Sequence, residues 1–227
     1  MRGVGKVYLT QAIETHALSN ISLEIESGDF VLIRGPSGCG KTTLLSLLGL
    51  LDVPSSGEYL LEGRDTRKMG LAERARLRNR TLGFVFQSFN LIHDMTISEN
   101  VELPLLYSGK ASKAQRSERT RNLLEKMGIA HRAQHYPAQL SGGQQQRAAL
   151  ARAMIGKPAL LLADEPTGNL DAAAEDTIIG LLGELHSRGN TICVVSHSPN
   201  YLHVADRRLT LSEGRLLEAA INPAPVR

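Results

Sequence analysis

The sequence predicts an α/β domain built around a parallel β-sheet. Four short runs of apolar or β-branched residues have the length and composition of buried parallel strands: 30–33, 81–86, 159–163 and 191–195. The segment 172–188 lies between the last two runs and repeats apolar residues at helical spacing before Arg188-Gly189, a helix-stop signal. Because parallel strands need such a crossover helix, this arrangement favours the α/β class.

A long helical insertion is predicted to interrupt this sheet. Between residues 88 and 157 strand signals are few, and two long polar segments, 113–127 and 141–156, have helical character. We therefore expect one domain over residues 1–221, divided into a core lobe and a helical lobe. The core lobe is expected to contain residues 1–88 and 157–221, and the helical lobe residues 89–156.

Shorter antiparallel strands are predicted at 59–61, 210–211 and 215–217. The most basic stretch, 64–80, mixes charged and apolar residues as an amphipathic helix does. The proline-bearing residues 222–227 are predicted to form a flexible tail.

Composition and charge limit the possible functions. The 227 residues are 42% hydrophobic, and the net charge of +3 comes from basic residues spread among acidic ones, so no nucleic-acid partner is expected. No apolar run approaches the roughly 20 residues that span a bilayer, and the first residues lack the apolar stretch of a secretory signal. We therefore expect a cytoplasmic location. Cys39 and Cys193 lack Cys-x-x-Cys spacing, which predicts two free thiols.

Residues 35–42 match the phosphate-loop pattern G-x-x-x-x-G-K-[ST], directly after a predicted strand and before a predicted helix. Its glycines allow backbone N–H groups to surround an anion, Lys41 adds a positive charge for the β and γ phosphates, and the Thr42 hydroxyl suits Mg²⁺. A chance glycine-rich turn is the alternative. The pattern predicts ATP and Mg²⁺ as ligands. The predicted ATP-binding residues of this segment are Gly35, Pro36, Ser37, Gly38, Cys39, Gly40, Lys41, Thr42 and Thr43.

Polar residues follow three of the predicted strands at the edge where such sheets bind ligands. Asp164 is expected to hold the metal through its water shell, and Glu165 to polarise the attacking water, although a helix cap is an alternative for this pair. His197 is predicted to contact the γ phosphate, and Gln87 to offer its amide oxygen to the metal or the water. The predicted catalytic set is Glu165, His197 and Gln87, and the predicted metal set is Thr42, Gln87 and Asp164.

Ser141-Gly142-Gly143-Gln144 opens another predicted helix, with Ser141 as its N-cap. Adjacent glycines at a helix start cost stability, which makes sense where the backbone must approach an anion. The chain thus has two predicted phosphate-binding helix ends, although one ATP needs only one of them.

Together, the order and spacing of these motifs resemble the ABC ATPases over nearly the full chain. The resemblance implies a P-loop core with an antiparallel β subdomain and an inserted helical subdomain that carries the signature residues Leu140, Ser141, Gly142, Gly143 and Gln144. It also implies that two copies pair head to tail, each signature closing over the other's phosphate loop. By the same resemblance Asn169, Leu170 and Asp171 form the D-loop, His197 is the switch histidine, and Tyr8 stacks on adenine unless it is a surface tyrosine.

Four segments are most similar to the macrolide-exporter and lipoprotein-releasing ATPases: GPSGCGKTTLLSLLGLLD, GFVFQSFNLI, ENVELPLLY and LSGGQQQRAALARA. This similarity implies a separate membrane permease as partner, ATP hydrolysis coupled to its movement, and a place on the inner face of the cell membrane. Cell-division and amino-acid import ATPases share many of these stretches and stay open as alternatives. A soluble ABC ATPase of ribosomes or chromosomes, or a P-loop kinase, fits less well, because the chain has one cassette, no sustained heptads and an LSGGQ motif.

Three features depart from the family, and a fourth adds to it. Cys39 stands where serine is usual, and Ser198 follows His197 where aspartate is usual. Because the chain begins seven residues before Tyr8, the family's first strand is expected to be largely missing, with an unpaired sheet edge near residues 3–7. Apolar residues in the loop 88–95 are expected either to bind the permease or to pack the two lobes together.

Overall fold

A six-stranded sheet forms the centre of the computed structural model, which describes residues 1–9, 14–109 and 111–218. Five strands are parallel, and one edge strand is antiparallel. From that edge the order is β11 (Arg215–Glu218), β10 (Arg207–Ser212), β3 (Phe30–Arg34), β9 (Ile192–Val195), β8 (Leu160–Asp164) and β7 (Leu82–Phe86). The predicted α/β class with a parallel sheet is therefore confirmed.

Side chains alternate between two cores along the buried strands. In β3, Phe30 and Leu32 enter one core while Val31 and Ile33 enter the other. The helices are α1 (Lys41–Leu48), α2 (Leu71–Thr81), α3 (Ile97–Ser108), α4 (Lys113–Lys126), α5 (Gly142–Met154) and α6 (Ala172–Ser187). The first two contribute to the core of Val31, and α3 to α6 contribute to the core of Phe30. None of the helices in the described ranges is both long and apolar enough to cross a membrane.

A second sheet of three antiparallel strands contains β1 (Arg2–Leu9), β2 (Glu14–Ile21) and β4 (Ser56–Glu58), with β1 in the middle. The expectation that the first strand is largely missing is therefore wrong. The expected unpaired edge near residues 3–7 is also wrong, because β1 pairs with β2 on one side and β4 on the other. Polar residues and glycines interrupt the alternation of β1 and β2, so neither strand was visible in the sequence pattern.

Other elements differ from the sequence predictions in extent. The predicted strand at 210–211 is part of β10, which pairs in parallel with β3 as well as antiparallel with β11. Only residues 71–81 of the basic stretch are helical, because β5 (Leu60–Leu61) and β6 (Arg64–Asp65) form a hairpin just before them. The predicted tail at 222–227 lies outside the described residues. Cys39 and Cys193 are buried free thiols, as predicted.

The loop 88–95 is largely folded into the protein. Leu91 is buried in the core of Phe30, and Phe89 packs against that core. Arg152 of α5 donates to the carbonyl oxygen of Phe89 at 2.9 Å. Of the two alternatives for this loop, packing of the lobes therefore holds for Phe89 and Leu91, and exposure to a partner does not. Only Ile92 in this loop is a large exposed hydrophobic residue, at 43%.

The backbone around Ile92 is fixed by the buried side chain of Asn100 in α3. Asn100 Oδ1 accepts from Ile92 N at 2.7 Å, and Nδ2 donates to the carbonyl oxygens of Ile92, Met95 and Thr96 at 3.0, 3.1 and 3.0 Å. One buried amide thus satisfies one donor and three acceptors of the loop. This network holds Ile92 in a defined position with its side chain toward solvent.

Candidate active site

The phosphate-loop pattern forms the turn between β3 and α1. Its helix begins at N-cap Gly40, with φ 105°, no side-chain cap and no acidic residue in the first turn. By contrast, α3, α4 and α5 each begin with a capping box. The first N–H groups of α1 therefore lack a side-chain acceptor, and with the helix dipole they suit an anion.

Two glycines of this loop allow close contacts that no other residue permits. A Cβ on Gly35 would lie 2.1 Å from the Leu211 carbonyl oxygen, and one on Gly40 would lie 2.5 Å from the Ala17 carbonyl oxygen. Gly40 also needs a positive φ, which is strained for other residues. The loop is thus held between the end of β10 and β2.

Lys41 is the charged residue of the loop, and only 8% of it is exposed. Its ammonium group donates to the carbonyl oxygens of Gly35 and Pro36, both at 2.8 Å. Cys39 N–H donates to the same Pro36 oxygen at 3.4 Å. The ammonium group is therefore already positioned at the loop, which agrees with its predicted role at the phosphates.

Thr42 and Asp164, two of the three predicted metal ligands, lie together. Thr42 Oγ1 donates to Asp164 Oδ2 at 3.3 Å. Burial raises the pKa of Asp164 and the nearby Glu165 raises it further, against the opposing effects of the Thr42 hydrogen bond and Lys41. A hydroxyl beside one half-buried carboxylate fits Mg²⁺, which binds through few protein oxygens and keeps several waters. Gln87, the third predicted ligand, makes its hydrogen bonds elsewhere.

Glu165 follows β8 in a left-handed backbone conformation with φ 42°. This conformation is uncommon for glutamate, and such strain clusters at functional sites. Its Oε2 accepts from Ser196 Oγ at 3.1 Å and from His197 N at 3.2 Å. Its Oε1 is buried, accepts no hydrogen bond from the described residues, and lies 3.4 Å from His197 Nε2.

Glu165 thus has one fixed oxygen and one oxygen free to accept. Fixing Oε2 orients the carboxylate, and Oε1, which is buried beside His197, accepts no hydrogen bond from the described residues and so keeps acceptor capacity for a proton. This geometry fits the predicted general base. His197, with its side chain 55% exposed, reaches the same carboxylate, so the structure brings these two predicted catalytic residues together.

Gln87, the third predicted catalytic residue, is bound to the D-loop. Its Nε2 donates to Asn169 Oδ1 at 3.1 Å, and Asn169 Nδ2 donates back to the Gln87 carbonyl oxygen at 3.2 Å. The amide oxygen of Gln87 stays available, since its nitrogen makes this bond. A Cβ on Gly168 would lie 2.9 Å from Gln87 Nε2, so the turn after Glu165 also needs a small residue.

The signature residues form the start of α5, where Ser141 and Gln144 make a capping box. Gln144 N donates to Ser141 Oγ at 3.4 Å, and Ser141 N donates to Gln144 Oε1 at 3.1 Å. Leu140 is buried and Ser141 is exposed. The predicted N-cap at Ser141 is therefore confirmed.

One of the two signature glycines has an internal reason that the sequence did not show. A Cβ on Gly143 would lie 2.9 Å from the Ala174 Cβ, whereas one on Gly142 would lie 3.4 Å from Leu170 Cδ2, an ordinary contact distance. Gly143 therefore allows α5 to pack closely against α6. Close packing explains the cost of Gly143, and the contact of Gly142 places the signature beside residues 169–171.

The two helices predicted to bind phosphate pack on opposite faces of the central sheet. The leucines of α1 lie in the core of Val31, whereas the alanines of α5 lie in the core of Phe30. The phosphate-loop helix and the signature helix of one chain are therefore separated by the sheet.

Tyr8 lies near the end of β1 and is 40% exposed. Its hydroxyl donates to Asp52 Oδ2 at 3.0 Å, and Lys6 Nζ lies 4.8 Å from its ring centroid. Lys6 also pairs with Asp52 at 2.7 Å. These contacts hold the ring at the surface, and adenine stacking by Tyr8 stays a prediction.

Three further residues touch this machinery and were missed in the sequence. Ser196 binds Glu165, and Glu175 of α6 binds Ser198. Gln146 of α5 is fully buried, and its Nε2 donates to the carbonyl oxygens of Pro166 and Phe86, next to Glu165 and Gln87. Only their adjacency to motif residues in the sequence could have pointed to Ser196 and Gln146, and nothing pointed to Glu175.

A cavity of about 480 Å³ lies away from the phosphate loop, between α4, α5 and α6. Its apolar side chains include Leu123, Met154 and Leu185. Lys126, Lys157 and Arg188 at its rim lie at or near helix C-termini, where cations offset the negative end of the dipole, and Arg119 lies in the middle of α4. No motif residue lines the cavity.

Comparison with known proteins decides the family. The model of the family described as ABC transporter matches residues 18–168. The chain belongs to this family. An ABC transporter ATP-binding protein of Methanocaldococcus jannaschii, itself uncharacterized, is 46% identical over 217 residues, which cover 96% of both chains. This ABC protein is therefore an ATP-binding subunit and an ATPase, with the P-loop ABC fold expected from its motifs.

A solved structure, described as a dimeric post-hydrolysis state of the ATP-binding cassette MJ0796 bound to ADP and Pi, has a TM-score of 0.91 and 39% identity to this ABC protein. The alignment covers 98% of each chain. The macrolide export ATP-binding/permease protein MacB 1/2 of Paracoccus denitrificans is 43% identical over 225 residues, which are 99% of this chain but 34% of that protein. The chain thus spans about a third of the length of this relative.

Proposed function

We propose that this ATPase works as a head-to-tail pair that hydrolyses ATP with Mg²⁺ and drives a membrane permease of the export or mechanotransmission type. The observation that carries the pairing is the placement of α1 and α5 on opposite faces of the sheet. A phosphate-loop helix and a signature helix that lie on opposite faces of the sheet in one chain can face each other across a pair of chains. The dimeric cassette with 39% identity supports the formation of a pair.

In this proposal each residue near the loop has one role. The N–H groups at the start of α1 and the Lys41 ammonium hold the phosphates, and Thr42 and Asp164 hold Mg²⁺. Mg²⁺ supplies charge neutralisation at the phosphate oxygens. Glu165 acts as the general base and accepts a proton from the attacking water at Oε1. Ser196 and the His197 N–H orient Glu165 by donating hydrogen bonds to Oε2.

His197 is proposed to contact the γ phosphate. Gln87 is proposed to bind the metal or the attacking water through its amide oxygen. The bond between Gln87 and Asn169 would make the D-loop respond to the same event. The D-loop also contacts the signature glycine Gly142. When the partner copy closes on the signature, the resulting movement would therefore be transmitted to Gln87 through residues 169–171. The core lobe of 1–88 and 157–221 and the helical lobe of 89–156 are proposed as the two bodies that move.

The permease is proposed to bind at the loop after Gln87, which places the ATPase on the inner face of the cell membrane. Relatives named macrolide export ATP-binding/permease proteins support this partner. The structural support is Ile92, an exposed apolar side chain whose backbone N–H and carbonyl oxygen are both hydrogen-bonded to the buried Asn100 amide. A rigid apolar contact point suits the apolar face of a helix.

Replacing Ile92 tests this partner without disturbing the core. Ile92→Arg should abolish co-purification with the membrane permease, while ATP turnover of the isolated subunit stays within about twofold, because exposed sites tolerate substitution. Leu71→Arg is the matched control, since Leu71 is 76% exposed at the start of α2. Full co-purification of a folded Ile92→Arg protein would place the permease contact elsewhere.

A further inference from the structure

Ser198, the residue that departs from the usual aspartate after the switch histidine, has a carboxylate partner on another element. Its Oγ donates to Glu175 Oε1 at 2.6 Å, and Thr167 Oγ1 donates to the same oxygen at 3.4 Å. Glu175 lies in the first turn of α6, and both Glu175 and Ser198 are half-buried. A charge-assisted hydrogen bond this short is among the stronger contacts available to a serine.

This contact continues to the catalytic carboxylate in two further steps. Ser198 N donates to Ser196 Oγ at 3.1 Å, and Ser196 Oγ donates to Glu165 Oε2 at 3.1 Å. The residue between them, His197, donates its own N–H to Glu165 Oε2. The position of Ser198 therefore helps to set the short segment that carries His197 and orients Glu165.

Glu175 is also tied to the D-loop. Its N–H donates to the carbonyl oxygen of Asp171 at 2.8 Å, and Asp171 caps α6 through a 2.8 Å bond from Ala174 N. The carboxylate of Glu175 thus stands one turn after the last D-loop residue. A shift of the first turn of α6 would therefore move the carboxylate that accepts the hydrogen bond of Ser198.

We propose that Glu175 is a positioning residue for the switch histidine, supplying from α6 the carboxylate that the usual aspartate would supply at residue 198. The inference rests on the proposed role of His197. Glu175 thereby links the D-loop to His197 through its hydrogen bond with Ser198. In this chain the carboxylate stands on α6, at Glu175, and not in the loop after β9.

A simpler role for Ser198 is the N-cap of the short 3₁₀ helix Pro199–His203, because its Oγ accepts from Asn200 N at 3.2 Å. Aspartate would fill that role equally well. Aspartate cannot donate to Glu175, however, and it would place a second carboxylate against the first. The two explanations therefore predict opposite results for Ser198→Asp.

Four proteins form the test: wild type, Glu175→Ala, Ser198→Asp and the double variant. Their kcat and KM for ATP and their melting temperatures are measured. Glu175→Ala should lower kcat about tenfold with KM nearly unchanged, the scale of one lost hydrogen bond to a charged group. Ser198→Asp should lower kcat similarly through repulsion by Glu175. The double variant should return to within about threefold of wild type, because two contacting residues are not additive.

Controls separate positioning from stability. Asp176→Ala removes the exposed neighbouring acid and should leave kcat unchanged. If Glu175→Ala does not fold, Glu175→Gln replaces it, because glutamine keeps an acceptor oxygen without the charge. Glu175→Gln should lower kcat less than Glu175→Ala, and adding Ser198→Asp should restore the lost kcat. Wild-type kcat for a folded Glu175→Ala, or a double variant as poor as the product of the two single losses, would overturn the proposal.

His197→Ala is measured beside these variants. If His197→Ala loses turnover while Glu175→Ala keeps it, only the positioning role of Glu175 is contradicted, and the proposed role of His197 stands. Normal turnover in His197→Ala contradicts the proposed role of His197, and the inference then falls with it.

Discussion

Glu165→Gln should lower ATP turnover by at least about 10²-fold, the usual scale of a lost general base, while ATP binding is retained. Glutamine keeps the length and an acceptor oxygen for Ser196 and the His197 N–H, so the fold around the left-handed residue is preserved. It cannot take a proton at the position of Oε1. Bound ATP that is not hydrolysed should then hold two chains together.

Steady-state phosphate release measures the turnover, and light scattering with saturating ATP measures the pairing. Glu184→Gln is the control, because Glu184 is an exposed acid of α6 far along the helix from its start. Turnover within a few-fold of wild type would remove Glu165 from the role of base. A monomeric Glu165→Gln protein with ATP bound would argue that the permease is required for pairing.

Lys41→Ala should reduce ATP affinity by about 10²-fold, since hydrogen bonds to charged groups are worth about 1.5–3 kcal/mol each. The ammonium group is buried at the start of the phosphate loop and bonded to the Gly35 and Pro36 carbonyl oxygens. Its charge is therefore only weakly screened by solvent. Loss of this charge leaves the α1 dipole and the loop N–H groups as the remaining attraction for the phosphates.

Titration with a fluorescent nucleotide measures this affinity, and melting curves show whether the two carbonyl oxygens tolerate the loss of their donor. Lys68→Ala, at an exposed lysine, is the matched control and should bind ATP as the wild type does. Unchanged affinity in a folded Lys41→Ala protein would contradict the assignment of residues 35–42 as the phosphate site.

The parallel sheet and the ATP site were predictable because their residues carry strong local signals. The glycine loop must follow a strand and precede a helix for geometric reasons, and Asp164 and Glu165 end an apolar run that could only be a buried strand. Burial enforces apolar composition on β3, β8 and β9, so these strands are visible without the fold. The same reasoning located His197 and Gln87 at the ends of their strands.

The features that were missed depend on residues far apart in the chain. The polar strands β1 and β2 are stabilised by each other and by β4, and no local pattern marks them. Leu91 is buried because it joins the same core as residues of α3 and α5, which lie later in the chain, and the loop sequence alone does not show this. The bond from Ser198 to Glu175 joins positions that only the packing of α6 against the sheet brings together.

The most direct measurement of the proposed head-to-tail site mixes two defective versions of the chain. Lys41→Ala damages the phosphate loop, and Ser141→Asp keeps the N-cap of α5 while placing a negative charge toward the partner's phosphates. Each protein alone should be inactive. In an equimolar mixture roughly half of the pairs are mixed and contain one intact site, so about a quarter of the wild-type turnover should return. A mixture that stays as inactive as its two components would contradict an ATP site shared between two copies.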